Sequence, residues 1–274
     1  MRYRSVGIDG LDIFYREAGP RDAPVILLLH GFPSSSRMYE TLMPLLARDY
    51  RLLAPDYPGF GHSSAPQPDA FEYTFDHLAD VTLHFIDALN LPRYTLVMQD
   101  YGGPVGFRVA LSRPERVEAL VVQNAVAHEA GLGPLWETRK AFWKDRATHE
   151  AALRANLLSF EATRLRHVGR SPNQDRYDPD TWTDEFAFLS RPGQIDIQTE
   201  LFYDYRTNVA SYPLWQQFPA DALRRRAHRC GTRLRPRLRR TGRSLPTGGH
   251  FVLDEAADQV AKLMKQFLAT RLAR

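Results

Sequence analysis

Three observations in the 274-residue sequence predict an α/β fold, an open and mostly parallel sheet covered by helices. Short runs that are apolar at every position recur through the first 125 residues, the pattern of strands buried on both faces. Glycine-bearing turns follow the first three of these runs, and stretches of helical spacing lie between them. Residues 26–29 make the first buried strand, 51–54 the second, 94–98 the third and 119–123 the fourth. Helices are expected at 38–47 and 75–89, and another begins near residue 105. Residues 254–270 read as the closing helix.

Beyond residue 125 the pattern changes. Residues 137–145, 150–160, 179–188 and 198–209 read as helices, broken by Ser171-Pro172-Asn173 and Arg191-Pro192-Gly193, with no legible sheet strand. The chain is therefore expected to divide into a first core part (1–125), a helical insertion (126–214) and a return to the core (215–274). The insertion is dense in aromatics, Trp143, Tyr203 and Tyr205 among them. Most should fill its own core, and some should line an apolar cavity.

The length suits one core with a small helical lid. A single cysteine, Cys230, excludes an internal disulfide framework. No apolar run follows Met1-Arg2-Tyr3-Arg4 as in a signal peptide, and none reaches the roughly 18 residues of a membrane span. A soluble, cytoplasmic protein is expected, monomeric or homodimeric, with no membrane partner, metal or cofactor. The net charge of +4 invites a nucleic-acid reading, but residues 222–247 alone hold ten arginines and no Asp, Glu or Lys. Without them the net charge is −6, and no nucleic-acid module is legible, so nucleic acid is not an expected partner.

The chemistry concentrates around Asp100. The third strand ends in Gln99-Asp100-Tyr101-Gly102-Gly103 and a helix follows, so Asp100 stands on the strand–turn–helix elbow that presents a nucleophile. A carboxylate there attacks sp3 carbon and leaves an ester that must be hydrolysed. His30 and Asp56, like Asp100, fall just past the carboxyl ends of strands, where open sheets place ligands. His250 follows Thr247-Gly248-Gly249 and precedes the last helix. A histidine titrating near neutrality is the natural base for activating water.

Four motifs in this order resemble the α/β-hydrolase superfamily: His30-Gly31-Phe32-Pro33, Asp56-Tyr57-Pro58-Gly59-Phe60-Gly61-His62-Ser63, Gln99-Asp100-Tyr101-Gly102-Gly103 and Gly249-His250-Phe251. Within it they resemble the aspartate-nucleophile branch of epoxide hydrolases and haloalkane dehalogenases. The resemblance covers residues 1–125 and resumes at about 247–270. It implies the α/β-hydrolase fold with residues 126–214 as a helical cap. It also implies Asp100 as nucleophile, His250 as base and the backbone N–H groups of Phe32 and Tyr101 as oxyanion donors, with His30 orienting their loop. Tyr203-Asp204-Tyr205-Arg206-Thr207-Asn208 resembles the tyrosine-arginine stretch of soluble epoxide hydrolases. That gives Tyr205 the hydrogen bond to an epoxide oxygen and makes Tyr203 a candidate substrate contact, while Trp143, one of the aromatics of the insertion, is a further candidate orienting or substrate contact. The implied partners are a small apolar electrophile and water. Tyr101 where dehalogenases carry tryptophan, and Phe32 in the histidine-glycine loop, favour epoxide hydrolysis; Gln99 leans toward dehalogenation. Met98 is large for a position two before an elbow nucleophile. A dehalogenase-like hydrolase and a catalytically inactive binding protein are the alternatives.

The triad acid is where the sequence departs from the family. After the fourth strand stands Asn124, which orients an imidazole without neutralising it. The later location, residues 219–249, has Asp221 near its start and no other acid. Nor do residues 222–247 contain an apolar run of four for the late core strand expected there. A strand with arginine at every second or third place would bury unpaired charge. The abrupt change of composition suggests a reading-frame shift. One late core strand is therefore expected to be missing or disrupted, residues 222–247 to be irregular, and turnover to be impaired.

Overall fold

Six strands, β1 (Arg2–Ile8), β2 (Leu11–Ala18), β3 (Val25–Leu29), β4 (Arg51–Pro55), β5 (Tyr94–Gln99) and β6 (Val117–Gln123), pair in the order β1-β2-β4-β3-β5-β6 in the computed structural model. The structure describes residues 1–169, 171, 173–229 and 250–272. β4, β3, β5 and β6 run parallel, while β1 and β2 pair antiparallel with each other and β2 with β4. The alternation of side chains along buried strands feeds two cores. Leu27, Leu29, Leu53, Leu96 and Met98 point into one, with residues of α2 (Phe75–Ala88) and α3 (Gly102–Ser112). Ile26, Leu28, Leu52, Ala54 and Val97 point into the other, with α1 (Leu42–Leu46) and α10 (Leu253–Leu272).

The hairpin β1–β2 is not legible as an apolar run, because β2 buries two charged residues. Glu17 takes Arg4 at 2.9 Å and Arg51 at 3.0 Å, and Arg16 donates to Ser36 Oγ at 2.9 Å. The helix expected at 38–47 is instead a single turn at Ser36–Tyr39 followed by α1. Pro44 explains the break, since proline is tolerated in the first turn of a helix and not in its interior.

After β6 come α4 (Glu137–Lys144), α5 (Arg146–Leu157), α6 (Phe160–Val168), α7 (Pro179–Leu189), α8 (Gln194–Asp204) and α9 (Arg206–Arg229), with no strand among the described residues between them. α6 was not expected. Ser159 starts it by accepting a hydrogen bond from the Ala162 N–H. The helix expected at 198–209 is two helices that meet at Tyr205. Residues 222–229, expected to be irregular, continue α9, and the alanine, leucine and arginine there are strong helix formers. The rest of the arginine-rich interval, and with it the late strand expected there, lies outside the described residues. Several hydrogen bonds seat this helical layer on the core. Arg191 Nη1 donates to Gly61 O at 3.0 Å, Gln198 Nε2 to Gly59 O at 3.3 Å, and the Phe75 N–H to Asp204 Oδ2 at 2.7 Å. Among the described residues no helix is long and apolar enough to cross a membrane.

The packing around β5 accounts for Met98. A Cβ on Gly106 of α3 would lie 2.1 Å from Met98 Sδ, so the glycine makes room for the large side chain. Gly106→Ala is expected to destabilise by about 1–3 kcal/mol through overpacking. In the Met98→Ala background the same change should cost less, because the obstructing atoms are gone. Urea unfolding of the two single variants and the double variant checks this; strictly additive losses would show that the two residues do not compete for space.

Candidate active site

Asp100 occupies the turn between β5 and α3 with φ of +50°, a left-handed conformation that aspartate tolerates better than most residues. Glycine on the facing loop lets the chain come close: a Cβ on Gly31 would lie 2.3 Å from Asp100 Cβ. The next residue, Phe32, donates its N–H to Asp100 Oδ1 at 2.9 Å. The other carboxylate oxygen, Oδ2, lies 3.8 Å from His250 Nε2. The Tyr101 amide follows at the start of α3 but makes no hydrogen bond to the Asp100 carboxylate among the described residues. The side chains of Asp100 and His250 are 26% and 32% exposed, so the space they border is reached by solvent.

His250 is held by its backbone. Its carbonyl accepts from Gln99 Nε2 at 3.0 Å and from Asn124 Nδ2 at 2.6 Å, and Gln123 Nε2 supports Gln99 Oε1 at 2.5 Å. Asn124 is thus brought to His250, but to its carbonyl and not to its ring. Among the described residues Asp100 is the only carboxylate at ion-pair distance from that ring. Burial pushes the imidazole below its ordinary pKa of 6.5, Asp100 opposes that, and the Arg166 charge reinforces it. The ring is therefore neutral at neutral pH, as a base must be.

Aromatic rings cover this space. Tyr205 is buried, with its ring 5.9 Å from Tyr101, 5.4 Å from Phe75 and 4.9 Å from Trp136. Burial, reinforced by the Tyr212 hydroxyl and the Asp100 charge, holds its hydroxyl far above the usual phenol range, so it keeps its proton. Trp143 lies parallel to Tyr205 at 6.1 Å, but its Nε1–H donates to Phe202 O at 2.7 Å. Tyr203 is drawn elsewhere, with Arg206 3.6 Å and Arg146 5.1 Å from its ring. His30 is buried beneath the Phe32 loop. The Tyr57 N–H donates to its Nε2 at 3.2 Å, which leaves its Nδ1–H to donate to Gly31 O at 3.1 Å. Asp56 accepts from the Ser36 and His62 N–H groups at 2.6 and 2.9 Å, tying two loops together.

Reasoning from the sequence missed the contribution of α6. Arg166 lays its guanidinium over the Phe32 ring at 4.8 Å. Its neighbour His167 is buried between two carboxylates, Nδ1 at 2.7 Å from Asp254 Oδ2 and Nε2 at 2.8 Å from Glu185 Oε2, and Phe251 stacks on its ring at 4.2 Å. No signal pointed to them, because the helix itself was not legible. The two carboxylates reach opposite nitrogens of one ring instead of converging on a point. Among the described residues no group of three His, Cys, Asp or Glu side chains is arranged to hold a metal ion.

This network locks α6 and α7 to the residue after His250 and to α10. Burial pulls His167 down, but hydrogen bonds to Asp254 and Glu185 prevail and raise it from 6.5 to about 9. A group raised on folding contributes fully below its unfolded pKa, and its contribution is lost as pH rises through the folded value. Stability attributable to His167, on the order of 3 kcal/mol, is therefore expected in full below about pH 6.5 and to fade as pH approaches about 9. Melting temperatures recorded between pH 6 and 10 should fall on the alkaline side for the wild-type protein. Chains carrying His167→Gln should melt lower and show a flatter profile; parallel profiles would remove the network from the pH dependence.

A family model described as the alpha/beta hydrolase fold matches residues 24–223. An uncharacterized hydrolase of Saccharomyces cerevisiae is 38% identical over 218 residues, 78% of this chain and 74% of that protein. A haloalkane dehalogenase of Psychrobacter cryohalolentis is 37% identical over 128 residues, 45% of this chain and only 42% of the dehalogenase. Among solved structures, that of a proposed epoxide hydrolase from Pseudomonas aeruginosa superposes with a TM-score of 0.72 at 21% identity, over 99% of this chain and 96% of that one, a likeness of fold. On the extent of the family match and the identity to the yeast hydrolase, the chain belongs to the α/β-hydrolase fold family.

Proposed function

We propose that this hydrolase opens small electrophiles through a covalent ester on Asp100, with epoxides the leading class. One observation carries the reading: a carboxylate on the elbow has one oxygen fixed by the Phe32 N–H and the other turned toward a neutral imidazole. Oδ2, free of a backbone donor, attacks an epoxide carbon. Its electron pair forms the new C–O bond as the ring C–O bond breaks toward the epoxide oxygen. Tyr205, buried among the rings above Tyr101, donates to that oxygen. His250 then takes a proton from water, which adds to the ester carbonyl. The resulting oxyanion is held by the Phe32 amide, with the Tyr101 amide as second donor. Collapse breaks the acyl C–O bond, and the proton on His250 passes to the leaving oxygen. The proton of the regenerated carboxyl group replaces the one Tyr205 gave up, so the diol leaves and Asp100, His250 and Tyr205 are restored.

The second half-reaction is the weaker one. An imidazolium forms on His250 while Asp100, the one carboxylate at ion-pair distance among the described residues, is tied up as the ester. Loss of the acid from a serine triad costs about 10⁴ in rate, and a comparable penalty slows ester hydrolysis here. The dehalogenase alternative has support from the P. cryohalolentis relative. Against it, the Trp143 indole N–H is already engaged by the Phe202 carbonyl and is not offered to a halide.

With styrene oxide, intact-protein mass spectrometry should show an adduct of the substrate's mass accumulating on the folded protein. Asp100→Asn should abolish it, and Tyr205→Phe should slow its formation roughly tenfold or more. A bromoalkane would instead add its alkyl group and release bromide, which separates the two classes. Absence of label from either electrophile would overturn the covalent reading. Where the ester forms, its decay should slow as pH falls through the depressed pKa of His250 and hold constant above it.

A further inference from the structure

We propose that the electrophile taken by this site carries a carboxylate, held by the guanidinium of Arg166 beside Asp100; this rests on the Asp100 reading and names its substrate class. Arg166 comes from α6, next to His167. Its Cζ lies 4.8 Å from the centre of the Phe32 ring, and Phe32 is the residue whose N–H holds Asp100. Its charge is close enough to act on Asp100, Tyr101 and His250.

The guanidinium is also underused. Nη2 donates to Leu157 O at 3.0 Å, while Nη1 is buried with no acceptor. Among the described residues no carboxylate reaches it at ion-pair distance, whereas Arg146 and Arg154 on the neighbouring α5 are each paired with acids. A guanidinium nitrogen buried without an acceptor is costly, and structures tolerate it where a ligand supplies the missing partner. The planar fork of arginine suits a carboxylate, which offers two oxygens in one plane. A second arginine, Arg139, lies over the Trp136 and Phe202 rings at 4.9 and 5.5 Å. Burial lowers Arg166 to about 10, so it remains charged at neutral pH. That charge would offset the repulsion between an anionic substrate and the Asp100 carboxylate. The reaction keeps its balance: Asp100 forms the C–O bond, the ring bond breaks toward oxygen, and the carboxylate stays a spectator.

Binding is tested apart from reaction by titrating the protein at pH 7 with propanoate and with propanamide, its uncharged counterpart, using calorimetry. Propanoate should bind roughly tenfold or more tightly than the amide, and Arg166→Gln should erase that preference. Arg166→Lys should retain part of it, with folding of both variants checked by circular dichroism. If both variants fail to fold, protection decides the matter. On wild-type protein, propanoate should slow labelling of Asp100 by glycidamide more than propanamide does. Equal affinity for acid and amide, or a preference unchanged in Arg166→Gln, would overturn the proposal. A parallel comparison of glycidate with glycidamide locates any label by peptide mapping. Label on Asp100 without preference for the acid sinks the anion site and spares the nucleophile, whereas propanoate binding without any label sinks the nucleophile and spares the anion site.

Discussion

The hydrogen bond from the Phe32 N–H to Asp100 Oδ1, 2.9 Å long, is the contact on which the rest of this site depends. It requires Asp100 in a left-handed turn and a neighbouring loop pressed against it. The first condition follows from the step between β5 and α3, and the second from Gly31, where any side chain would collide with Asp100. Below the loop His30 fastens Gly31 and Tyr57, and Asp56 fastens the two turns beyond them. Several buried polar groups thus serve to hold one amide at one carboxylate. They also leave the second oxygen facing His250.

Charge is distributed unevenly over the two halves of the proposed reaction. Attack by Asp100 is served by an ordered carboxylate, by a phenol that keeps its proton and by the cation of Arg166 nearby. Hydrolysis asks His250 to become positive in a partly buried place, with Arg166 and His167 both opposing that charge. The carboxylate Asp254, which stands closest in sequence, is committed to His167 instead. Asn124 and Gln99 fix where the His250 backbone sits without supplying charge to its ring. An elbow equipped for attack and less equipped for release is the physical consequence.

The parallel sheet was legible because β3, β4 and β5 are buried on both faces and read as uninterrupted apolar runs. The elbow was legible because a carboxylate between a strand and a glycine-rich helix start is a local pattern. The β1–β2 hairpin was not, since Glu17 and Arg16 interrupt its apolar face and take partners, Arg4, Arg51 and Ser36, from distant positions. α6 was hidden by a weak apolar pattern, and Arg166 and His167 went with it. Their meaning arises from Phe32, Glu185 and Asp254, residues brought near only by the fold. For Asn124 the contact with the His250 carbonyl was not legible, because a side-chain amide gives no sign in sequence of choosing a carbonyl over a ring.

Isotope transfer through the carboxylate tests the central claim most directly. In a single turnover of an epoxide in ¹⁸O-labelled water, with enzyme in excess, an ester on Asp100 requires that the product take its oxygen from the aspartate and that water enter the carboxylate. The peptide containing Asp100 should therefore gain ¹⁸O while the first product remains unlabelled. Heavy oxygen in the first product, with none in Asp100, would mean direct attack by water and would contradict the nucleophilic role assigned to that residue.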